Sequence, residues 1–179
     1  MTRLAIDSPE RMAQLGTLIA TQLSAGDLVL LNGELGAGKT TLTRSIGEAL
    51  GIRGTVTSPT FVLARTHPRA DESADVAPLV HVDAYRLGSA VELDDLDLDF
   101  AASIVVAEWG AGLLDGVSES WLNVDIIRPT GARSTAEQSA AASTGTVDFS
   151  DELSEPRTVT VTGNGPRWAD MGWLDVFSD

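Results

Sequence analysis

The sequence predicts an α/β fold with a mainly parallel central sheet and a C-terminal antiparallel hairpin. Three observations carry this expectation. The apolar run Leu28-Val29-Leu30-Leu31 is followed by Gly33-Glu34-Leu35-Gly36-Ala37-Gly38-Lys39-Thr40 and then by a helically spaced segment. Two further apolar runs, at residues 79–82 and 104–107, lead directly into acids, Asp83 and Glu108. Two late stretches, 121–127 and 157–162, have strand character: the first alternates and the second is rich in β-branched residues. At 179 residues the chain is long enough for one domain with a sizeable core.

The elements follow in order. Ser8-Pro9-Glu10 opens a helix with a capping residue, a proline in the first turn and then an acid. Met12, Leu15, Ile19 and Leu23 supply its apolar face, and Ala25-Gly26-Asp27 turns the chain into the first strand. The glycine-rich stretch is a complete G-x-x-x-x-G-K-[ST] phosphate-binding loop, or P-loop. Its glycines let consecutive N–H groups point at phosphate oxygens, and the helix that follows adds the positive end of its dipole. Lys39 can reach the β- and γ-phosphates, and the Thr40 hydroxyl can ligate Mg²⁺. Lys39 is the only lysine in the chain; the other eleven basic residues are arginines. Leu42, Ile46, Ala49 and Leu50 give the next helix its buried side, and Gly51 ends it. Strand, loop and helix together predict a three-layer P-loop NTPase sandwich.

Residues 61–65 read as a strand, 67–78 as a polar surface loop with two prolines, and 79–83 as a strand. Between 91 and 100 five acids alternate with leucines, which reads as a solvated face with its leucines turned inward. Residues 129–156 are rich in Ala, Ser, Thr and Gly and poor in large apolar side chains. They read as a disordered insertion between the two hairpin strands. Trp168, Met171, Trp173, Leu174, Val176 and Phe177 predict a short amphipathic C-terminal helix.

Composition excludes several classes. Twenty-six acids against twelve bases give a net charge of −14, which argues against tight direct binding to nucleic acid. With no cysteine there is neither a disulfide nor thiolate chemistry. No run approaches the length of a membrane span, and Met1 to Asp7 lacks the apolar core of a signal peptide. A cytoplasmic protein that needs a nucleotide is the expectation.

A P-loop needs a carboxylate near Mg²⁺ at the end of a neighbouring strand, and Asp83 and Glu108 are the two candidates. One of the pair can hold metal while the other orients the attacking water; which does which is open at this level. Ser58-Pro59-Thr60 lies where a switch segment over the γ-phosphate would lie, or forms a simple turn opening a strand. His81 alternates with Asp83 and reads as a hydrogen-bonded packing residue. Trp109 can shield the site from water or belong to the core.

These blocks occur in a telling order: the P-loop, then Thr57-Ser58-Pro59-Thr60-Phe61, then His81-Val82-Asp83-Ala84-Tyr85-Arg86-Leu87, then Glu92-Leu93, then Val106-Ala107-Glu108-Trp109. The order strongly resembles the TsaE (YjeE) family, small bacterial P-loop ATPases of tRNA threonylcarbamoyladenosine biosynthesis. The resemblance spans roughly residues 8–128, with a weaker match at 157–162. It implies Mg²⁺-dependent ATP hydrolysis in support of a TsaB–TsaD-type complex. That complex transfers threonylcarbamoyl to the adenosine beside the tRNA anticodon, so tRNA is engaged only indirectly. Carried over, Gly36, Ala37, Gly38, Lys39, Thr40 and Thr41 cradle the phosphates. Thr40 and Glu108 hold Mg²⁺, Asp83 supports hydrolysis or metal, and Ser58 and Thr60 belong to a switch. Trp109 lies at the nucleotide site, and Arg157 reaches the nucleotide from the late strand. Family members often carry Thr three residues before a Leu-Gly pair in the first helix, near the adenine; here Met12 stands before Leu15-Gly16.

Two rival enzyme classes lack their signatures. The common GTPases use N-K-x-D for guanine, but the only lysine is already in the P-loop. A small-molecule kinase would carry an arginine-rich lid, whereas residues 129–156 contain only Arg133. A nucleotide-gated adaptor with little or no turnover is the remaining alternative.

Overall fold

The structure is a computed structural model that describes residues 1–59, 62–71, 76–89, 92, 98–114, 117–128 and 156–177. Thr60, Phe61, most of the acidic 91–100 segment and nearly all of the 129–156 insertion lie outside the described residues, and the expectations placed on them lie there too.

Among the described residues seven strands form one mixed sheet: β1 (Thr2–Ile6), β2 (Leu28–Asn32), β3 (Ala64–His67), β4 (Leu79–Asp83), β5 (Ile104–Glu108), β6 (Trp121–Ile127) and β7 (Arg157–Asn164). Their spatial order is β1-β7-β6-β2-β5-β4-β3. The central four, β6, β2, β5 and β4, are parallel neighbours. The outer strands β1, β7 and β3 pair antiparallel. The parallel strands therefore end together along one edge, where open α/β sheets bind ligands.

Helices α1 (Pro9–Gln22) and α2 (Lys39–Leu50) cover one face. Ser8 caps α1, its hydroxyl accepting from the Arg11 N–H at 3.2 Å, with Pro9 at the first position. Gly51 ends α2 in the left-handed region, φ 69°, and its N–H reaches the carbonyls of Glu48 and Gly47. Leu15 and Ile19 of α1 and Leu42 and Ile46 of α2 bury themselves with Val29, Leu31, Val106, Val124 and Val159 of the sheet. On the other face Leu28, Leu30, Val80, Val82, Val105 and Ala107 form a second core, packed by Leu87, Leu98, Phe100, Leu113 and Leu114 from irregular segments. Among the described residues that layer contains no α-helix longer than a turn.

Several boundaries differ from the sequence expectation. The third strand begins at Ala64 rather than Phe61. The Pro59 carbonyl accepts from the N–H groups of both Val62 and Leu63, and Leu63 turns left-handed (φ 64°) before the chain extends. His67, read as loop, is the buried last residue of β3. The C-terminus forms two 3-10 segments, Pro166–Trp168 and Gly172–Phe177, instead of one amphipathic α-helix. Gly165, Pro166 and Gly172 interrupt helical continuity there. Strand β1 was not anticipated. Its alternation, with Leu4 and Ile6 inward, is legible, but at five residues it needs β7 to pair with.

Candidate functional site

The P-loop joins β2 to α2 and is held by close backbone approach. Gly33 has φ 142°, and a Cβ there would stand 2.4 Å from the Ile126 carbonyl oxygen, so only glycine fits. Gly38, at φ 112°, begins α2, which points its first N–H groups at the sheet's open edge. The Met12 methyl carbon lies 3.7 Å from where a Gly38 Cβ would stand, so Met12 packs against the loop from α1.

Parallel register sets the acids. Asp83 and Glu108 are direct partners across β4 and β5, and Glu108 also stands opposite Leu31 of β2. Alternation turns Leu79, His81 and Asp83, and likewise Val106 and Glu108, toward the helix layer. Both carboxylates thus face the start of α2 while nearly fully buried.

The contacts there are specific. The Thr40 hydroxyl donates to Glu108 Oε1 at 2.8 Å. His81 Nε2 lies 2.9 Å from the same oxygen. A carboxylate only accepts, so Nε2 carries the proton in that bond. Burial raises the Glu108 pKa. The hydrogen bond and charge of His81, the Thr40 bond and Lys39 together outweigh burial, so the carboxyl sits below its ordinary value and stays ionised. Asp83 Oδ1 accepts from the Tyr85 N–H at 3.2 Å, which fixes its rotamer at the strand end.

Lys39 donates to the carbonyls of Gly33 at 2.9 Å and Glu34 at 3.0 Å. Its ammonium lies 3.8 Å from the centre of the Trp109 ring. Burial lowers its pKa, against the opposing pull of Glu108 and Asp83. Trp109 holds its ring there from a left-handed backbone, φ 64°, and Tyr85 meets that ring edge-on at 5.6 Å. Arg157, at the start of β7 and buried, donates from Nε to the Ala37 carbonyl at 3.0 Å.

A cleft of about 710 Å³ opens over this edge. It is lined by Gly36, Gly38, Lys39, Thr40, Thr41, Ser58, Asp83, Glu108, Trp109 and Arg157. The structure thus gathers these site residues of the sequence reading around one opening. Ala37 is buried beneath it, and Thr60 lies outside the described residues. Arg44 also lines the cleft and was not anticipated. Its spacing was the available signal, since positions 40, 41 and 44 share one face of a helix.

The donor set fits a hard divalent cation. Among the described residues no group of three or more His, Cys, Asp or Glu side chains forms a metal cage. Mg²⁺ does not require one, because it keeps waters and takes phosphate oxygens beside one or two carboxylates. Thr40, Glu108 and Asp83 present oxygens of that kind beside the loop.

Against this geometry, the family model for threonylcarbamoyl adenosine biosynthesis protein TsaE matches residues 6–136. The chain belongs to the TsaE family. It is 51% identical over 161 residues to a Streptomyces coelicolor protein named tRNA threonylcarbamoyladenosine biosynthesis protein TsaE, covering 88% of this chain and 94% of that one. A Bacillus subtilis relative of the same name is 34% identical over 124 residues, covering 68% and 74%. The crystal structure of Bacillus subtilis YdiB superimposes with a TM-score of 0.62 at 24% identity, covering 99% of this chain and 93% of YdiB. That likeness supports the α/β fold. Among the described residues no helix is long and apolar enough to cross a membrane.

Proposed function

We propose that this TsaE-family chain binds ATP with Mg²⁺ and hydrolyses it in the cytoplasm, supporting threonylcarbamoyl transfer to the adenosine beside the tRNA anticodon by a TsaB–TsaD-type complex. One observation carries the ATPase reading: the P-loop hydroxyl of Thr40 meets the strand-end carboxylate of Glu108, in register with Asp83. The part in tRNA modification rests on the names of the relatives.

In this reading the backbone N–H groups of residues 36–41 and the Lys39 ammonium bind the triphosphate. Thr40 and Glu108 hold Mg²⁺, whose chemistry is to neutralise charge that builds on the phosphate oxygens. Asp83, fixed by the Tyr85 N–H, orients the attacking water or shares the metal. Trp109 and Tyr85 limit water at the reacting end. Ser58 serves as a switch contact, and Arg157 steadies the loop through Ala37. The acidic chain leaves tRNA to its partners.

A nucleotide-gated adaptor is the second reading, and one observation favours it. Lys39 and Thr40 are both engaged by the protein's own groups, so a nucleotide must replace those contacts, which yields two distinct surfaces at the rim. The deciding experiment is Mg²⁺-dependent ATP hydrolysis by the chain alone and with its TsaB–TsaD-type complex, with Glu108→Ala as control. Partner-stimulated turnover lost in the variant supports the ATPase. Nucleotide-dependent association without turnover above the variant supports the adaptor.

A further inference from the structure

Two buried ring nitrogens lie behind the site, neither hydrogen-bonded among the described residues: His81 Nδ1 and His67 Nε2. His81 is fully buried and His67 is 5% exposed. Strand pairing brings them together. Arg65 of β3 stands opposite His81, and His67 opposite Leu79, so the two histidines are diagonal neighbours of an antiparallel pair. Leu79 faces the helix layer, so both rings are on that face. Diagonal neighbours stand roughly 7–8 Å apart at Cα, within reach of two rings with one small molecule between them. Buried polar atoms in native proteins find a partner, and an ordered water commonly supplies it.

We infer that one buried water bridges His67 Nε2 and His81 Nδ1, and that through it His67 is a positioning residue for Glu108. The chain of contacts runs His67, water, His81 Nε2, Glu108 Oε1, Thr40 Oγ1; its last two links are 2.9 Å and 2.8 Å long. Water both donates and accepts, so it satisfies His81 Nδ1 whether or not that atom carries a proton. Held through its second nitrogen, the His81 ring cannot rotate away from Glu108. Among the described residues both of these hydrogen bonds fall on Oε1, which leaves Oε2 to present toward the cleft. Histidines bound to carboxylates and metals are commonly oriented in this way through their other nitrogen. The water and the ring orientation stand on geometry alone; the effect on turnover rests on the hydrolytic reading above.

The test uses the full chain and two variants. His67→Phe removes the ring nitrogen, whereas the His67→Gln amide can still donate to and accept from the water. A high-resolution crystal structure of the wild type is expected to show a water within hydrogen-bond distance of both nitrogens, and no such water overturns the proposal. In folded His67→Phe the His81–Glu108 contact is expected to lengthen or break, with kcat for ATP falling about tenfold or more at unchanged KM. His67→Gln is expected to restore both. A His67→Phe protein with the contact and kcat intact overturns the positioning role. Should His67→Phe fail to fold, a His67→Gln structure without the water also overturns it. A wild type that hydrolyses no ATP would count against the hydrolytic reading, and the water and the His81–Glu108 distance would then decide this proposal by themselves.

Discussion

Lys39 shows how a lone lysine can be held by a protein's own groups. Two carbonyls and the face of Trp109 surround an ammonium that burial makes costly to keep charged. A triphosphate offers the same ammonium charge-assisted bonds, each worth about 1.5–3 kcal/mol. Lys39→Ala is therefore expected to weaken ATP binding by roughly 10- to 100-fold, read by equilibrium titration with the nucleotide. Unchanged affinity would remove the loop from the binding site. His67 makes a separate residue-scale prediction. Burial first, then His81 and Arg65, lower its pKa in the folded chain below 6.5. As pH falls below 6.5 the unfolded chain takes up the proton first, so stability declines through that window until the folded pKa is passed. His67→Gln does not titrate there. Between pH 7 and pH 5 the wild type should lose more stability than His67→Gln, measured by urea denaturation at each pH.

At the scale of elements, α1 and α2 pack closely side by side on one face of the sheet. Gly16 permits it, since a Cβ there would stand 2.5 Å from Ser45 Cβ and 3.1 Å from the Ile46 nitrogen. Replacing a mid-helix glycine by alanine ordinarily gains about 1 kcal/mol in helix propensity. Overpacking against a backbone that cannot yield costs about 1–3 kcal/mol. Gly16→Ala is therefore expected to be neutral to destabilising, with an unchanged to lower urea midpoint; a clear gain in stability would show that the helices can separate freely. The strands carry a comparable lesson. Leu79-Val80-His81-Val82-Asp83 and Ile104-Val105-Val106-Ala107-Glu108 are legible because parallel strands buried on both faces read as continuous apolar runs. Strand β3 is less legible, because the turn at Pro59 moves its start three residues later than its β-branched and aromatic content suggests.

For the molecule as a whole, β6 and β7 pair over seven positions, from Trp121 with Asn164 to Ile127 with Thr158, although the chain between them is long. That pairing brings Arg157 to Ala37, 120 positions away in the chain. Loop-closure entropy grows only slowly with length, so shortening the connection changes stability by about 1 kcal/mol or less. Deleting residues 135–150 is expected to leave the melting temperature within a few degrees and ATP hydrolysis nearly unchanged; failure to fold would show that the segment packs on the domain. At this scale too, a net charge of −14 is expected to disfavour non-specific contact with a polyanion.

What the sequence determined by itself is local or periodic. The glycine-rich P-loop motif, the caps of both helices, the apolar strands and the two acids that end them are written in neighbouring residues, where steric and hydrogen-bonding rules act over a few positions. Tertiary structure alone decided which of these groups meet. The pairing of β1 with β7, the contact of Thr40 with Glu108 across 68 positions, the hold of His81 on that carboxylate and the placing of His67 behind it all depend on strand order and register. Register is set by how the whole sheet buries its two faces, and no short stretch of residues contains that information.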